Sequence, residues 1–312
     1  EMDSNGRCKF LNKIFETKYI SGFENLAVDN FGNIFLNFSS NHDTLDLYYS
    51  GAKTILVSNG ASNSYVLKYN SDLSKLIWYK QIKRASASRF FNFEIFKMRI
   101  GIDNNLYLVA ELIDSFTING TTFKFKTGNS KGLIIILDQN GKYLFTKLIN
   151  EDIKQCDNIW DIAAKDTNQI YVFGYAADSL FNNGKWYGSS NKKSKGGSFP
   201  FIGLISKSKG AKWFTFSGYR DSLVYATKVS RGGVLNFDLY GNSYVTFLQN
   251  SRILSIGGLT DSSKVNYGFV KLDSLGEALW VRSSIIVNNI KPDYSGNLVY
   301  NGTYQAPSLY LA

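Results

Sequence analysis

Three carboxylates, Glu24, Glu94 and Asp161, each stand a few residues ahead of a turn that begins with aspartate, at Asp29, Asp103 and Asp166. Acids converging on one cavity are what glycoside hydrolysis needs, one working as acid and another as base or nucleophile. Their offsets from the turns differ, so an inner strand that merely carries an occasional acid is the plain structural alternative. Trp160, beside Asp161, and Trp186, in a long polar loop, fall outside the repeating pattern described below. With Asp161 they are the ligand-binding candidates, because an aromatic face next to an acid suits a sugar.

Composition excludes other chemistry. Zinc sites draw on several His and Cys ligands, and the chain holds one histidine, His42, in an Asn-His-Asp turn. A Ser-His-Asp triad would have to use that same residue as its only base. There is no Gly-rich phosphate loop and no dinucleotide fingerprint. None of the aspartate turns gathers the several carboxylates of a calcium loop. No metal and no cofactor is therefore expected. Cys8 and Cys156 lie in repeats that are not neighbours, and are read as two unpaired thiols.

The elements that must position such residues are short strands. Hydrophobic residues make up 44% of the 312, with 20 Tyr and 23 Phe, which is ample for a packed core. Only three prolines occur, and Gly, Asn and Ser fall between short apolar runs, the punctuation of strands and tight turns. The longest apolar run, Leu133 to Leu137, is far too short to cross a membrane. A net charge of +10 admits an acidic partner, but the lysines and arginines are scattered at strand edges and turns, where they solubilise the surface. Single-stranded nucleic-acid binding has composition in its favour and no recognisable module.

A repeat organises these strands. The aromatic anchors Trp78, Phe145, Trp213 and Trp280 are spaced by 67, 68 and 67 residues, each after a short apolar strand and a turn. A second phrase, aspartate turn then aromatic strand, recurs at Asp29, Asp103, Asp166, Asp238 and Asp293. Each unit thus offers four strands, and tandem four-stranded units are the blades of a β-propeller. The expectation is an all-β, single-domain chain, 1–312, forming a five-bladed β-propeller of four-stranded antiparallel blades. The blades fall at about 22–82, 93–149, 159–216, 224–284 and 287–312, the last completed by 8–16. Stepping one period back from Trp78 reaches Phe10, so the N-terminal strand is expected to close the ring beside Ser308 to Ala312.

The phrases Asp238-Leu-Tyr-Gly-Asn-Ser-Tyr-Val-Thr and Tyr267-Gly-Phe-Val-Lys-Leu-Asp-Ser-Leu-Gly-Glu-Ala-Leu-Trp280 resemble the bacterial SBBP-type β-propeller repeats. The departures are Asp103-Asn-Asn-Leu, which lacks the glycine, and Ser206-Lys-Ser-Lys-Gly, which lacks the aspartate. The resemblance implies a secreted or cell-surface protein with a binding or scaffolding role, and it brings no catalytic residues. The functional expectation is a non-enzymatic module that binds a protein or glycan at a cell surface, within a larger surface assembly, with no membrane span and no nucleic acid. A glycoside hydrolase built on Glu24, Glu94 and Asp161, or a propeller lectin, is the alternative. The segments 37–64, 179–198 and 249–266 are expected to be recognition loops.

Overall fold

The computed structural model describes residues 15–16, 20–40, 44–49, 52–57, 63–84, 93–112, 115–124, 131–150, 157–176, 179–188, 199–218, 233–248, 254–256, 259–261, 267–283, 285–292 and 298–304. Cys8, Cys156, Asp293 and Ser308 to Ala312 lie outside them. The described elements are strands joined by turns, without a helix, so none is long and apolar enough to cross a membrane.

After β1 (Phe15–Glu16), the first unit contains β2 (Ile20–Val28), β3 (Ile34–Ser40), β4 (Thr44–Tyr49), β5 (Ala52–Val57), β6 (Asn63–Tyr69) and β7 (Leu76–Arg84). The second has β8 (Glu94–Ile100), β9 (Leu106–Leu112), β10 (Phe116–Ile118), β11 (Thr121–Phe123), β12 (Lys131–Leu137) and β13 (Tyr143–Leu148). The third has β14 (Asp157–Asp166), β15 (Gln169–Ala176), β16 (Ser179–Asn182), β17 (Lys185–Gly188), β18 (Phe199–Ser206) and β19 (Gly210–Gly218). The fourth has β20 (Gly233–Phe237), β21 (Ser243–Leu248), β22 (Leu254–Ile256), β23 (Leu259–Asp261), β24 (Tyr267–Leu272) and β25 (Ala278–Ser283), and β26 (Ile285–Pro292) with β27 (Leu298–Tyr304) opens a fifth.

Each complete unit is an antiparallel meander of four strands: β2-β3-β6-β7, β8-β9-β12-β13, β14-β15-β18-β19 and β20-β21-β24-β25. The turns between them are made locally. In Asp29-Asn-Phe-Gly-Asn, one carboxylate oxygen accepts the backbone N–H groups of Phe31 and Asn33 at 3.0 and 2.8 Å, and the other accepts the Asn33 amide at 2.9 Å. Asp238 repeats the pattern with Tyr240 and Asn242, and Asp138 and Asp273 repeat its backbone half. A short acid that caps its own turn fixes the hairpin without help from the rest of the fold. Where the second unit lacks the glycine, Asn104 takes the left-handed conformation at φ 59°. Where the third lacks the second aspartate, Asn168 of its first turn accepts the Ser206 and Ser208 hydroxyls instead, both at 2.9 Å.

The first strands of successive units lie side by side, β2 by β8, β8 by β14, β14 by β20 and β20 by β26. The apolar cores are consequently layers between units. Phe35 and Val66 of the first pack with Met98 and Leu108 of the second, and the same layering continues through Ile162, Leu235 and Ile290. Polar side chains stitch the same junctions. The Asn25 amide donates to Phe96 O at 3.0 Å, and the Asn236 amide to Ile290 O at 2.9 Å.

The tryptophan anchors lock one unit to the next. Trp78 Nε1 donates to Gln139 O at 2.8 Å and Trp213 Nε1 to Ser274 O at 3.2 Å, each in the second turn of the following unit. A Cβ on Gly141 would come within 3.1 Å of the Trp78 ring, and one on Gly276 within 2.6 Å of Trp213. At these two junctions the anchor is an indole lying on the glycine of the neighbouring turn.

One expectation changes. The segments expected as recognition loops contain the hairpins β4–β5, β16–β17 and β22–β23, and in the second unit β10–β11 stands in the same place. These hairpins dock backwards. β10 pairs with the end of β7 (Phe116↔Arg84) and β22 with the end of β19 (Ile256↔Ser217). The Asn182 amide, in the third unit's hairpin, donates to Leu148 O and Ile149 O of the second unit. The pairing expected of the N-terminal strand with Ser308 to Ala312 falls outside the described residues. The described part of that strand pairs with β4 (Phe15↔Leu47, Glu16↔Asp46), and no described ladder joins it to β26 or β27. That is the relation β7 has to β10 and β19 to β22: β1 stands where the last strand of a preceding unit would stand.

The described sheets do not form a closed ring. Met98, Ile162, Leu235 and Ile290 share one register position and are at most 2% exposed, whereas their counterpart in the first unit, Leu26, is 64% exposed. On the opposite face, Phe35, Tyr107, Tyr171 and Tyr244 are at most 1% exposed, and Val299 of the fifth unit is 64% exposed.

Candidate functional site

The first strands carry the acids that the sequence singled out, and β-bulges decide where those acids go. Bulges interrupt β2 between Phe23 and Asn25, β8 between Ile95 and Lys97, β14 between Ile159 and Asp161, and β26 between Val287 and Asn289. Glu24 is the bulged residue of β2, in register with Phe96 and Trp160. Glu94 opens β8, opposite Glu111 on β9, and is half-buried. Asp161 follows its bulge. The three acids therefore occupy three different register positions.

Asp161 is wholly buried at the junction of three units. Arg99 on β8 donates Nε to Oδ1 at 3.2 Å and Nη2 to Oδ2 at 2.9 Å. The backbone N–H of Ile162 reaches Oδ1 and that of Leu235, on β20, reaches Oδ2, both at 2.9 Å. Lys97 stands 3.9 Å from Oδ1. With both oxygens so engaged, the carboxylate ties the second, third and fourth units together and presents no oxygen to a substrate. Trp160 is half-buried, its ring 5.6 Å from that of Phe96 on the neighbouring unit, which makes it a packing element. Trp186 lies on β17 opposite Phe181. Trp160 and Trp186 stand on strands of different sheets, β14 and β17.

What the structure does assemble is a cavity of about 630 Å³ where the first strands end. All five units reach it: Asn30 of the first, Arg99 and Ile102 of the second, Ala163 of the third, Asn236 of the fourth and Lys291 of the fifth. Arg99, Ala163, Asn236 and Lys291 share one register position, facing Tyr107, Tyr171, Tyr244 and Val299 on the paired strands. Lys291 is exposed and has no ion-pair partner among the described residues.

A second groove, of about 310 Å³, opens between the third and fourth units on the far side of the turn Asp238–Gly241. Lys165, Gln169 and Lys212 belong to its third-unit wall, Tyr240 and Ser274 to its fourth-unit wall. Its floor is rigid. Tyr171 stacks on Phe237 with ring centres 4.9 Å apart and donates its hydroxyl to Gly241 O at 3.0 Å. Burial, with the carboxylates of Asp238 and Asp166 adding to it, pushes the Tyr171 phenol up to about 12, so it remains a neutral donor. Asp238, the only acid lining the groove, is 4% exposed and accepts from Tyr240 N, Asn242 N, the Asn242 amide and the Tyr244 hydroxyl.

Sequence reading missed Arg99, Lys291, Lys165 and Lys212. The signal for the first two is positional: cations where other units carry Ala or Asn, visible once the strands are aligned on the residue after the aspartate turn. Among the described residues no three His, Cys, Asp or Glu side chains gather as a metal cluster.

No family model matches the chain, and no curated protein matches it. Similar solved structures include a protein of unknown function from Bacteroides caccae, 12% identical over 86% of this chain and 83% of that one, with a TM-score of 0.29. A europium-containing methanol dehydrogenase is 11% identical over 93% of this chain, with a TM-score of 0.39, and this chain spans 49% of its length. Similarity at that level assigns neither fold nor chemistry here.

Proposed function

We propose that the chain is a five-unit β-propeller acting as a non-enzymatic binding module that takes its ligand on the face where the first strands end. One observation carries the reading: residues of all five units converge on a single cavity whose one lining acid, Asp238, is bonded within its own turn, while Asp161, behind Arg99, is fully engaged in holding units together. An axial cavity with an exposed cation, Lys291, and an apolar rim suits recognition, whereas hydrolysis of a glycoside needs two available acids.

Closure of the fifth unit onto the first is part of the proposal. The pairing of β1 with β4, which repeats the docking seen at two other junctions, supports it, as do the apolar faces at Leu26 and Val299. The resemblance of the turn phrases to SBBP-type repeats supports a secreted or surface-displayed setting. Fractionation of the source cells tests that setting.

The function is tested by offering the whole chain a glycan array, a panel of surface proteins and a set of chromogenic glycosides. Saturable binding without turnover is expected. Turnover of any glycoside that Asp161→Asn abolishes while the fold persists would overturn the reading.

A further inference from the structure

We propose that the groove between the third and fourth units is a binding site for an acidic sugar unit of a glycan, a pyranose carrying a carboxylate. The proposal rests on the binding-module reading and adds to it a second site with its ligand class. Two ammonium groups, Lys165 and Lys212, stand on one wall, both exposed and neither with a hydrogen-bond or ion-pair partner among the described residues. Two exposed ammonium groups beside one concavity, with no ion-pair partner among the described residues, draw in an anion.

Two acids near the floor keep their charge, but their bonds hold them to their own turns and neither pairs with these lysines. Asp238 is buried within its own turn, and Asp166, which does not line the groove, accepts the Asn168 N–H. The rest of the lining suits a sugar better than a bare anion. Tyr240, 72% exposed, offers a ring face to the C–H side of a pyranose, while Gln169 and Ser274 offer amide and hydroxyl groups to its hydroxyls. The floor is set in advance by the Tyr171 hydroxyl on Gly241 O, so little ordering opposes binding. At about 310 Å³ the groove is at the small end of ligand sites and holds one or two sugar units.

The test titrates the full chain by calorimetry with a galacturonate trimer, the corresponding neutral galactose trimer, and adipate as an acid without a sugar. The galacturonate trimer should bind, more weakly as salt rises. Lys165→Gln with Lys212→Gln should cut its affinity by about tenfold, the effect of losing two exposed charge contacts. Tyr240→Ala should weaken it as well, and Lys83→Gln with Lys142→Gln, an equal loss of charge elsewhere, should leave it unchanged. Equal losses in the two lysine pairs would overturn the site in favour of bulk charge. Adipate binding as well as the trimer would overturn the sugar. Neutral trimer binding as tightly as the acidic one would overturn the ligand class while leaving a binding module. No ligand on any array would remove the module itself.

Discussion

Arg99 grips Asp161 across the boundary between the second and third units by two parallel contacts, at 3.2 and 2.9 Å, while Asp161 also accepts the Leu235 N–H of the fourth. A single buried carboxylate thus holds three neighbouring first strands in one arrangement. Removing one member of such a pair leaves the other without its counter-charge, which is costlier than removing both.

Asp161→Ala should therefore destabilise the chain toward the lower end of about 3–5 kcal/mol, because Arg99 keeps a third of its side chain in water. Arg99→Met should cost a similar amount, and the double variant less than the sum. Urea unfolding of the four proteins measures the coupling. A variant of Asp161 that unfolds like the parent chain would remove the carboxylate from this structural role.

Gly276 sits at φ +85° with the Trp213 ring against the place a Cβ would occupy. Gly276→Ala should cost about 1 kcal/mol for the left-handed backbone and a further 1–3 kcal/mol for displacing the indole. Gly184, at φ +73° with open space around it, isolates the backbone contribution. Thermal melts should separate the two alanine variants. Equal losses would show that the tryptophan does not rest on the turn.

Acid sensitivity should come from the capped turns. Burial raises the Asp29 and Asp238 carboxyls, but the bonds from Asn33 and Lys68 to the first, and from Asn242 and Tyr244 to the second, outweigh it and leave both below the usual range. A depressed folded value means stability that is complete above about pH 4 and lost as pH falls through the folded value. Stability measured between pH 6 and pH 2 should fall below pH 4, and Asp29→Asn with Asp238→Asn should flatten that fall. An unchanged slope would contradict it.

Deleting residues 1–16 removes β1 and exposes the free edge of β4. If β1 serves the first unit as β7 serves the second, the truncated chain should melt several degrees lower, since a kilocalorie moves the midpoint by a few degrees in a chain of this size. A truncated chain that melts with the full one would contradict that equivalence.

The strands and their turns were legible because their causes are local. An aspartate that caps its own turn and a glycine that takes its left-handed position write themselves into a few consecutive residues, as at Asp238 to Asn242. The spacing of Trp78, Trp213 and Trp280 was readable in the same way, although what Trp78 and Trp213 rest on, the next unit's glycine, was not.

What sequence hid is whatever depends on a partner far along the chain. The hairpins β4–β5, β16–β17 and β22–β23 are short enough to pass for loops, and only their docking onto the preceding unit shows what they do. The acids misled because a bulge shifts register without leaving a consistent residue: the skipped position is Glu24, Phe96 and Trp160 in three successive units. Lys165 and Lys212 are 47 residues apart and meet only because β14 and β19 flank one groove.

The central claim, five units around one axis, is tested by joining its two apolar ends. With Cys8 and Cys156 changed to serine, Leu26→Cys and Val299→Cys place thiols at positions whose counterparts, Met98 and Phe35, belong to one core layer. A short bifunctional maleimide should then link the two within a single molecule, giving a compact monomer on a denaturing gel at every protein concentration. Cross-links that form only between molecules, or none at all, would contradict the ring.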